Sequence, residues 1–216
     1  MSVRDFMRKN LIVVKPETPI FDAIDLMKQN DIHRLPVLHH EKLVGLITEG
    51  IIGAAMPSKA TSLSVYEMNY LLNKTTVADV MEKNVLTIDA DALLEDAIYK
   101  MRQNNVAVLP VMEEERLVGI ITNNDIFDAF LKITGYNNGG ARVALQITND
   151  HQGILAEIGR VLADNDLSIS TVVVNRMELV TNVELQLESR NTEKIQNVLS
   201  DAGYLVTSVA LTNPNR

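Results

Sequence analysis

Asp125 carries the clearest chemical signal in the chain. It lies in GIITNNDI, which opens at Gly119, and a near copy, GLITEGII, opens at Gly45, 74 positions earlier. The two share Gly, Ile, Thr and the final Ile, but at the seventh place the carboxylate of Asp125 faces the hydrocarbon of Ile51. A carboxylate accepts hydrogen bonds from two donors at once, and an isoleucine accepts none. Asp125 therefore either meets the donors of a ligand or caps the helix IFDAFLKI that follows it. Its two oxygens can serve both purposes. A second difference sits upstream, where His33 and Arg34 occupy the places of Ala107 and Val108. Arg34 offers a fork of donors suited to anion oxygens, or it is a surface cation paired with a neighbouring carboxylate. His33 donates without a full charge.

These residues belong to a repeat. Residues 3–52 align with 77–126 without a gap, and twenty-one of fifty positions are identical. VRDFMRKN pairs with VADVMEKN, DAIDLMKQN with DAIYKMRQN, and KLVGLIT with RLVGIIT. Each copy reads β-α-β-β-α. A short apolar run at 11–14 or 85–88 comes first. A helix with Ile20, Ala23, Ile24 and Met27, or Leu94, Ala97, Ile98 and Met101, on one face follows. Thr18 is placed to cap the first helix, with Pro19 at its first position. Two strands and a second helix complete the unit. One unit of this size is marginal alone, and two can bury their sheets and helices together. Ser64 is placed to cap a bridging helix running to Asn73.

Composition narrows the function. There is no cysteine, so disulfides and thiolate-bound metals are excluded. A net charge of -8 with few aromatics opposes general nucleic-acid binding. No apolar run approaches the ~18 residues of a spanning helix, so no membrane association is expected and the expected location is cytoplasmic. His33, His39 and His40 make a metal site conceivable, but His39 and His40 fall on a turn and are expected to point apart. No phosphate-binding glycine motif and no nucleophile elbow occur, so no metal and no catalysis are expected.

After Thr134 the pattern changes. GYNNGG (135–140) reads as a linker. RVALQI is a strand, and Asp150 is placed to cap a helix bearing Ile154, Leu155, Ile158, Val161 and Leu162. SISTVVV, VTNVELQLE, the short helix TEKIQNVLSDAG and YLVTSVAL complete β-α-β-β-α-β, a ferredoxin-like order. The sheet face away from the helices is expected to be apolar and to seek a partner. Asn149, Asp150 and Gly153 lie at the strand-to-helix turn, where helix N–H groups can meet an acidic ligand. Asp150 can instead bind an amino group.

The doubled unit resembles a CBS-domain pair, on M-x-x-N, D-A-I-x-x-M, LPV and LVGIIT-x-x-DI. The segment NDHQGILAEIGRVLADNDLSI resembles an ACT domain, although Gln152 stands where that family often has proline. The order of the units resembles the acetoin-utilisation AcuB family. The fold class expected is α+β: a tandem CBS-domain pair with a C-terminal ferredoxin-like ACT domain. The expected boundaries are 1–60, a connecting segment 61–76, 77–134, a linker 135–140, and 141–216. The resemblance implies an adenine nucleotide (AMP, ADP or ATP) as regulatory ligand, with no cofactor required. Thr122 and Asp125 match the ribose-binding places. His33 and Arg34 are expected to meet the phosphates. Thr87, Val106, Ala107, Val108 and Pro110 match positions that usually hold the adenine. The opposite cleft, with Ile51, Ala107 and Val108, is expected to be apolar. In the ACT segment the resemblance implies a homodimer and an amino acid or small metabolite near Asn149, Asp150, Gly153 and Ile154. The expectation is a regulatory homodimer in which the change on binding passes through helix 126–133 and the GYNNGG linker to the ACT domain; the sequence does not name the regulated target. The alternatives are a structural dimerisation module without nucleotide, or an enzyme with a site at the CBS–ACT cleft.

Overall fold

A computed structural model describes residues 1–55, 74–177 and 180–213. The bridging helix expected from Ser64 to Asn73 lies outside the described residues. The chain divides into two compact units, Met1–Ile126 and Phe127–Arg216.

In the first unit each repeat folds around an antiparallel hairpin. Strands β1 (Arg34–His39) and β2 (Lys42–Thr48) pair in the first repeat. In the second, β4 (Val108–Glu113) pairs with β5 (Arg116–Thr122), and the short β3 (Ile88–Asp89) lies parallel to β4. Helices Ile20–Gln29 and Leu94–Asn104 cover the hairpins. Their inner faces bury Ile20, Ala23 and Met27, and Leu94, Ala97 and Met101. The apolar run at 11–14 forms a single bridge, Val14 to Val37, and no full strand. Pro19, not Thr18, occupies the helix cap, and the Thr18 hydroxyl accepts from the Lys15 N–H at 3.1 Å.

The repeats exchange their leading segments, and this positions the site. Residues 3–8 dock on the second repeat: Val3 and Arg4 N–H donate to Ala92 and Ala90 C=O, and Arg8 exchanges two backbone bonds with Ile120. Residues 77–82 dock on the first in the same way. Val77 and Ala78 donate to Thr18 and Pro16, and Glu82 exchanges two bonds with Leu46. Val77 is fully buried in the first repeat's core, among Val14, Ile20 and Leu35. The shared Met and Gly now have a reason. A Cβ on Gly45 would overlap the Met81 sulfur, and one on Gly119 the Met7 sulfur. Only glycine lets the exchanged strand lie this close.

The second unit is β6 (Ala141–Ile147), helix Ile154–Ala163, β7 (Ile169–Arg176), β8 (Thr181–Leu187), helix Thr192–Asp201 and β9 (Leu205–Leu211). The sheet order is β7-β8-β6-β9, antiparallel throughout. Val143, Leu145, Val183 and Leu185 pack with Ile158, Leu162, Ile195 and Leu199, so both helices cover one face. On the other face Arg142 pairs with Gln186, Ala144 with Glu184 and Gln146 with Asn182. That face is mainly polar, which corrects the expectation of an apolar face in need of cover. Residues 135–140, expected as a linker, form a packed turn. The buried Gln186 amide donates to Gly139 C=O at 2.7 Å, and a Cβ on Gly140 would overlap Leu187 C=O.

Candidate functional site

The segment exchange builds two clefts in the first unit. The first, about 290 Å³, is lined by Arg8, Asn10, Leu11 and Ile12, by Asp31, Ile32, His33, Arg34 and Pro36, and by Ile120, Thr122 and Asn124. Adding 74 to the first-repeat numbers, or subtracting it from the second, yields the lining of the other cleft. That cleft, about 770 Å³, is bounded by Glu82, Asn84, Val85, Leu86, Asn105, Val106, Ala107, Val108, Leu46, Thr48 and Gly50. Only Pro110, the image of Pro36, is missing from this correspondence. Each cleft thus takes one repeat's strand edge and the other repeat's strand-to-helix turn.

At the first cleft Thr122 and Asp125 form a capping box for helix Asn123–Ile133. Asp125 Oδ2 accepts from the Thr122 N–H at 2.8 Å and its hydroxyl at 2.7 Å. The Thr122 hydroxyl in turn accepts from Asp125 N–H at 3.3 Å. Asp125 lies inside the helix's first turn and does not precede it, which corrects the position expected for its capping role. Its Oδ1 accepts from Arg8 Nε at 2.7 Å, and Asp125 is only 7% exposed. In the other repeat Thr48 still accepts from Ile51 N–H at 3.2 Å, but Ile51 returns nothing to it. The cap therefore explains threonine in both copies and a carboxylate in either. It does not explain why Arg8 accompanies the carboxylate while Glu82 accompanies Ile51.

Arg34 is half-buried beside this group, and among the described residues its guanidinium has no hydrogen bond or ion pair. Burial pushes it below its usual range. The charges of Asp125 and Glu49 raise it again, and that of Arg8 lowers it. Guanidinium does not deprotonate, so the direction records the cost of burying a cation. His33 Nδ1 pairs with Glu49 Oε2 at 2.8 Å.

The chain's own geometry regroups the expected adenine set. Val106, Ala107 and Val108 line the second cleft, away from Asp125. Pro110 is buried in β4 opposite Ile120, and Thr87 offers its carbonyl to Lys100 Nζ at 2.6 Å. Because the clefts are built across repeats, the apolar lining of the cleft that holds Arg8 and Thr122 is Leu11, Ile12, Ile32 and Pro36. Nor is the second cleft apolar. Glu49, Glu82, Asn104 and Asn105 line it, and His33 and Arg34 border both clefts. Arg8 and the apolar wall were absent from the sequence reading. The signal for Arg8 was in the repeat, where Arg8 aligns with Glu82.

The CBS domain family profile matches residues 3–54 and 77–132, half of the chain. The chain belongs to the CBS domain family. The uncharacterized protein MJ1426 of Methanocaldococcus jannaschii is 33% identical over 155 residues, covering 61% of this chain and 92% of its own. Among solved structures, the Vibrio cholerae protein designated AcuB aligns with a TM-score of 0.54 at 25% identity, over 63% of this chain and 95% of that one. CBSX2, solved in complex with AMP, aligns with a TM-score of 0.51 at 31% identity, over 61% and 97%. All three likenesses span a CBS-pair length.

Outside the CBS repeats, the structure reassigns Asp150. Its carboxylate accepts from Arg176 Nε at 2.8 Å and Thr181 Oγ1 at 3.0 Å, tying the turn to β7 and β8. It therefore does not cap the helix, and both of these bonds fall on one oxygen, Oδ2. Gly153, at φ 105°, is the cap residue, with open space where a Cβ would stand. Ile154 is buried in the core, and Asn149 C=O meets His151 Nδ1 at 3.1 Å. His39 and His40, expected to point apart, meet edge to face with ring centroids 4.0 Å apart. His40 has a left-handed backbone, φ 48°. Among the described residues no three His, Asp or Glu converge to hold a metal.

Proposed function

We propose that the CBS pair senses an adenine nucleotide in the first cleft and that the chain is a regulatory protein, not an enzyme. The observation that carries this reading is the convergence of Arg8, Arg34 and Thr122 from both repeats on one cleft, with Asp125 adjoining it through its bonds to Arg8 and Thr122. Asp125 suits vicinal ribose hydroxyls, Arg34 makes no hydrogen bond or ion pair among the described residues, and Leu11, Ile12, Ile32 and Pro36 suit a flat base. AMP, ADP and ATP share these needs. The complex of CBSX2 with AMP supports the ligand class. Because Asp125 belongs to the cap of helix Asn123–Ile133, a ligand that draws on it acts directly on that helix's first turn.

We read the C-terminal unit as a ferredoxin-like ACT domain, on its β-α-β-β-α-β order and sheet order. Asp150 is already engaged, which favours dimerisation over capture of an amino acid or other small metabolite at 149–154. Exposed Ile169, Val172 and Val173 on one edge strand, and Leu205 and Leu211 on the other, offer surface for a homodimer. The likeness to AcuB supports a context in acetoin utilisation, in the cytoplasm.

Calorimetry with AMP, ADP and ATP on the parent chain, D125A and R34A tests the ligand reading. One dominant site is expected, weakened for every nucleotide by D125A and most for ATP by R34A. Binding that D125A leaves untouched, or no binding to the parent, refutes it. Sedimentation of the parent chain tests the dimer, and a monomer at micromolar concentration refutes that part.

A further inference from the structure

Among the described residues, His33 and Arg34 are the two that border both clefts. Their images, Ala107 and Val108, border only the second. The backbone plan is shared, so the reach across the partition belongs to the longer side chains of the first repeat. His33 is tied to Glu49, a residue of the second cleft, at 2.8 Å. The Arg34 guanidinium makes no hydrogen bond or ion pair among the described residues. Charges from both sides act on it: Asp125 and Arg8 beside the first cleft, Glu49 in the second.

The two clefts do not depend on this group equally. The described lining of the second contains two carboxylates, Glu49 and Glu82, and Arg34 is its single arginine or lysine. A phosphate there has to be met by Arg34. A phosphate in the first cleft that pairs with the Arg34 fork carries at least as much charge as the guanidinium. The field on the second side is then set by Glu49, Glu82 and that phosphate. It repels a further anion within a Debye length, about 8 Å at physiological salt. A neutral nucleoside meets no such repulsion.

We propose that Arg34 is shared by the two clefts and sets the ligand class of the second: a nucleotide phosphate seated in the first cleft closes the second to phosphate-bearing ligands and leaves it open to an uncharged nucleoside. The inference rests on the nucleotide reading above and adds the coupling between its two clefts.

The full chain, methyl-labelled for NMR, is titrated with AMP and with adenosine as parent, I12A and R34A. Ile32 and Ile120 report on the first cleft, Leu86 and Val106 on the second. I12A trims the apolar lining of the first cleft without changing its charge. In the parent, AMP should fill the first cleft before the second. In I12A the first-cleft midpoint for AMP should rise. The second-cleft midpoint for AMP should fall by about fivefold or more, the low end of ordinary coupling between sites. The second-cleft midpoint for adenosine should stay in place. R34A tests the same idea without touching the apolar lining. It should keep adenosine in the second cleft and weaken AMP there by about tenfold, the loss of one charge-assisted contact. Three results overturn the shared guanidinium and leave the nucleotide reading standing: second-cleft methyls that answer AMP alike in parent and I12A, that answer it in neither, or that answer it in R34A as in the parent. First-cleft methyls that AMP does not move in the parent, or whose midpoint I12A leaves unchanged, overturn both.

Discussion

The two clefts of the CBS pair share a backbone plan and differ in charge. One presents Arg8, His33, Arg34, Asn124 and the adjoining Asp125; its image presents Glu82, Ala107, Val108, Gly50 and Ile51. Segment exchange concentrates the contrast. Arg8 comes from the first repeat and Asp125 from the second, yet they meet at the first cleft, while His33 and Arg34 border both. Had each cleft been built within one repeat, the arginines and the carboxylate would have been separated. Duplication supplied two hollows with corresponding linings, and a handful of side chains made them chemically unequal.

The comparison breaks most sharply at Asp125. D125A should cost on the order of 100-fold in nucleotide affinity, since charge-assisted hydrogen bonds contribute about 1.5–3 kcal/mol each. A loss below threefold, measured by calorimetry, would mean the carboxylate only caps its helix. Next come the two glycines beneath the exchanged methionines. G45A and G119A should each lower unfolding stability by about 1–3 kcal/mol through overpacking. A Cβ would also stand 3.2 Å from Glu82 C=O or 3.1 Å from Arg8 C=O, so the methionine cannot yield alone. If denaturant unfolding shows only one variant destabilised, the exchange is not equivalent on the two sides.

A gain-of-function variant sharpens the comparison further. I51D with E82R should rebuild the carboxylate–arginine pair in the second cleft and add a weak second site, read as a rise in calorimetric stoichiometry. If the stoichiometry stays unchanged, the missing counterparts of His33 and Arg34 are decisive.

The smallest effect concerns the exchanged segments. Arg4 binds Asp91 at 2.9 Å and Glu113 at 2.7 Å, whereas its counterpart is Ala78. Arg4 holds both carboxyls below the usual range, with Arg116 adding to the effect at Glu113. Their contribution is therefore present above the ordinary carboxylate pKa and is lost as pH falls through the depressed values. Hydrogen exchange in acid should show Val3 and Arg4 amides losing more protection than Val77 and Ala78. R4A should abolish that difference. In the second unit the sign is opposite at one place. The Asn149 carbonyl, then Glu157, raise the His151 pKa, so that contribution is present in mild acid and fades as pH rises through the raised value.

Much of the fold was legible because periodicity and turn chemistry are local. The ungapped repeat, the amphipathic helices, the hairpins and the β-α-β-β-α-β order all follow from which residues sit three, four or two apart. The contrasts Asp125 with Ile51 and Arg34 with Val108 were equally plain. The residues 106–108 were grouped with Asp125 although they line the other cleft, and Arg8 was overlooked, for one shared cause. No local pattern says that residues 3–8 leave their own repeat and pair with Ile120. Nor does composition tell a free glycine linker from glycines packed under Gln186.

By itself, then, the sequence determined two copies of a β-α-β-β-α unit, a different third pattern, and an unequal set of charges between the copies. Only the tertiary structure decided which charges meet. Backbone pairing between segments far apart in the chain depends on the shape of the surface each finds, and here glycine opposite methionine opened that surface. The same exchange set Arg8 against Asp125 and left Arg34 half-buried beside them.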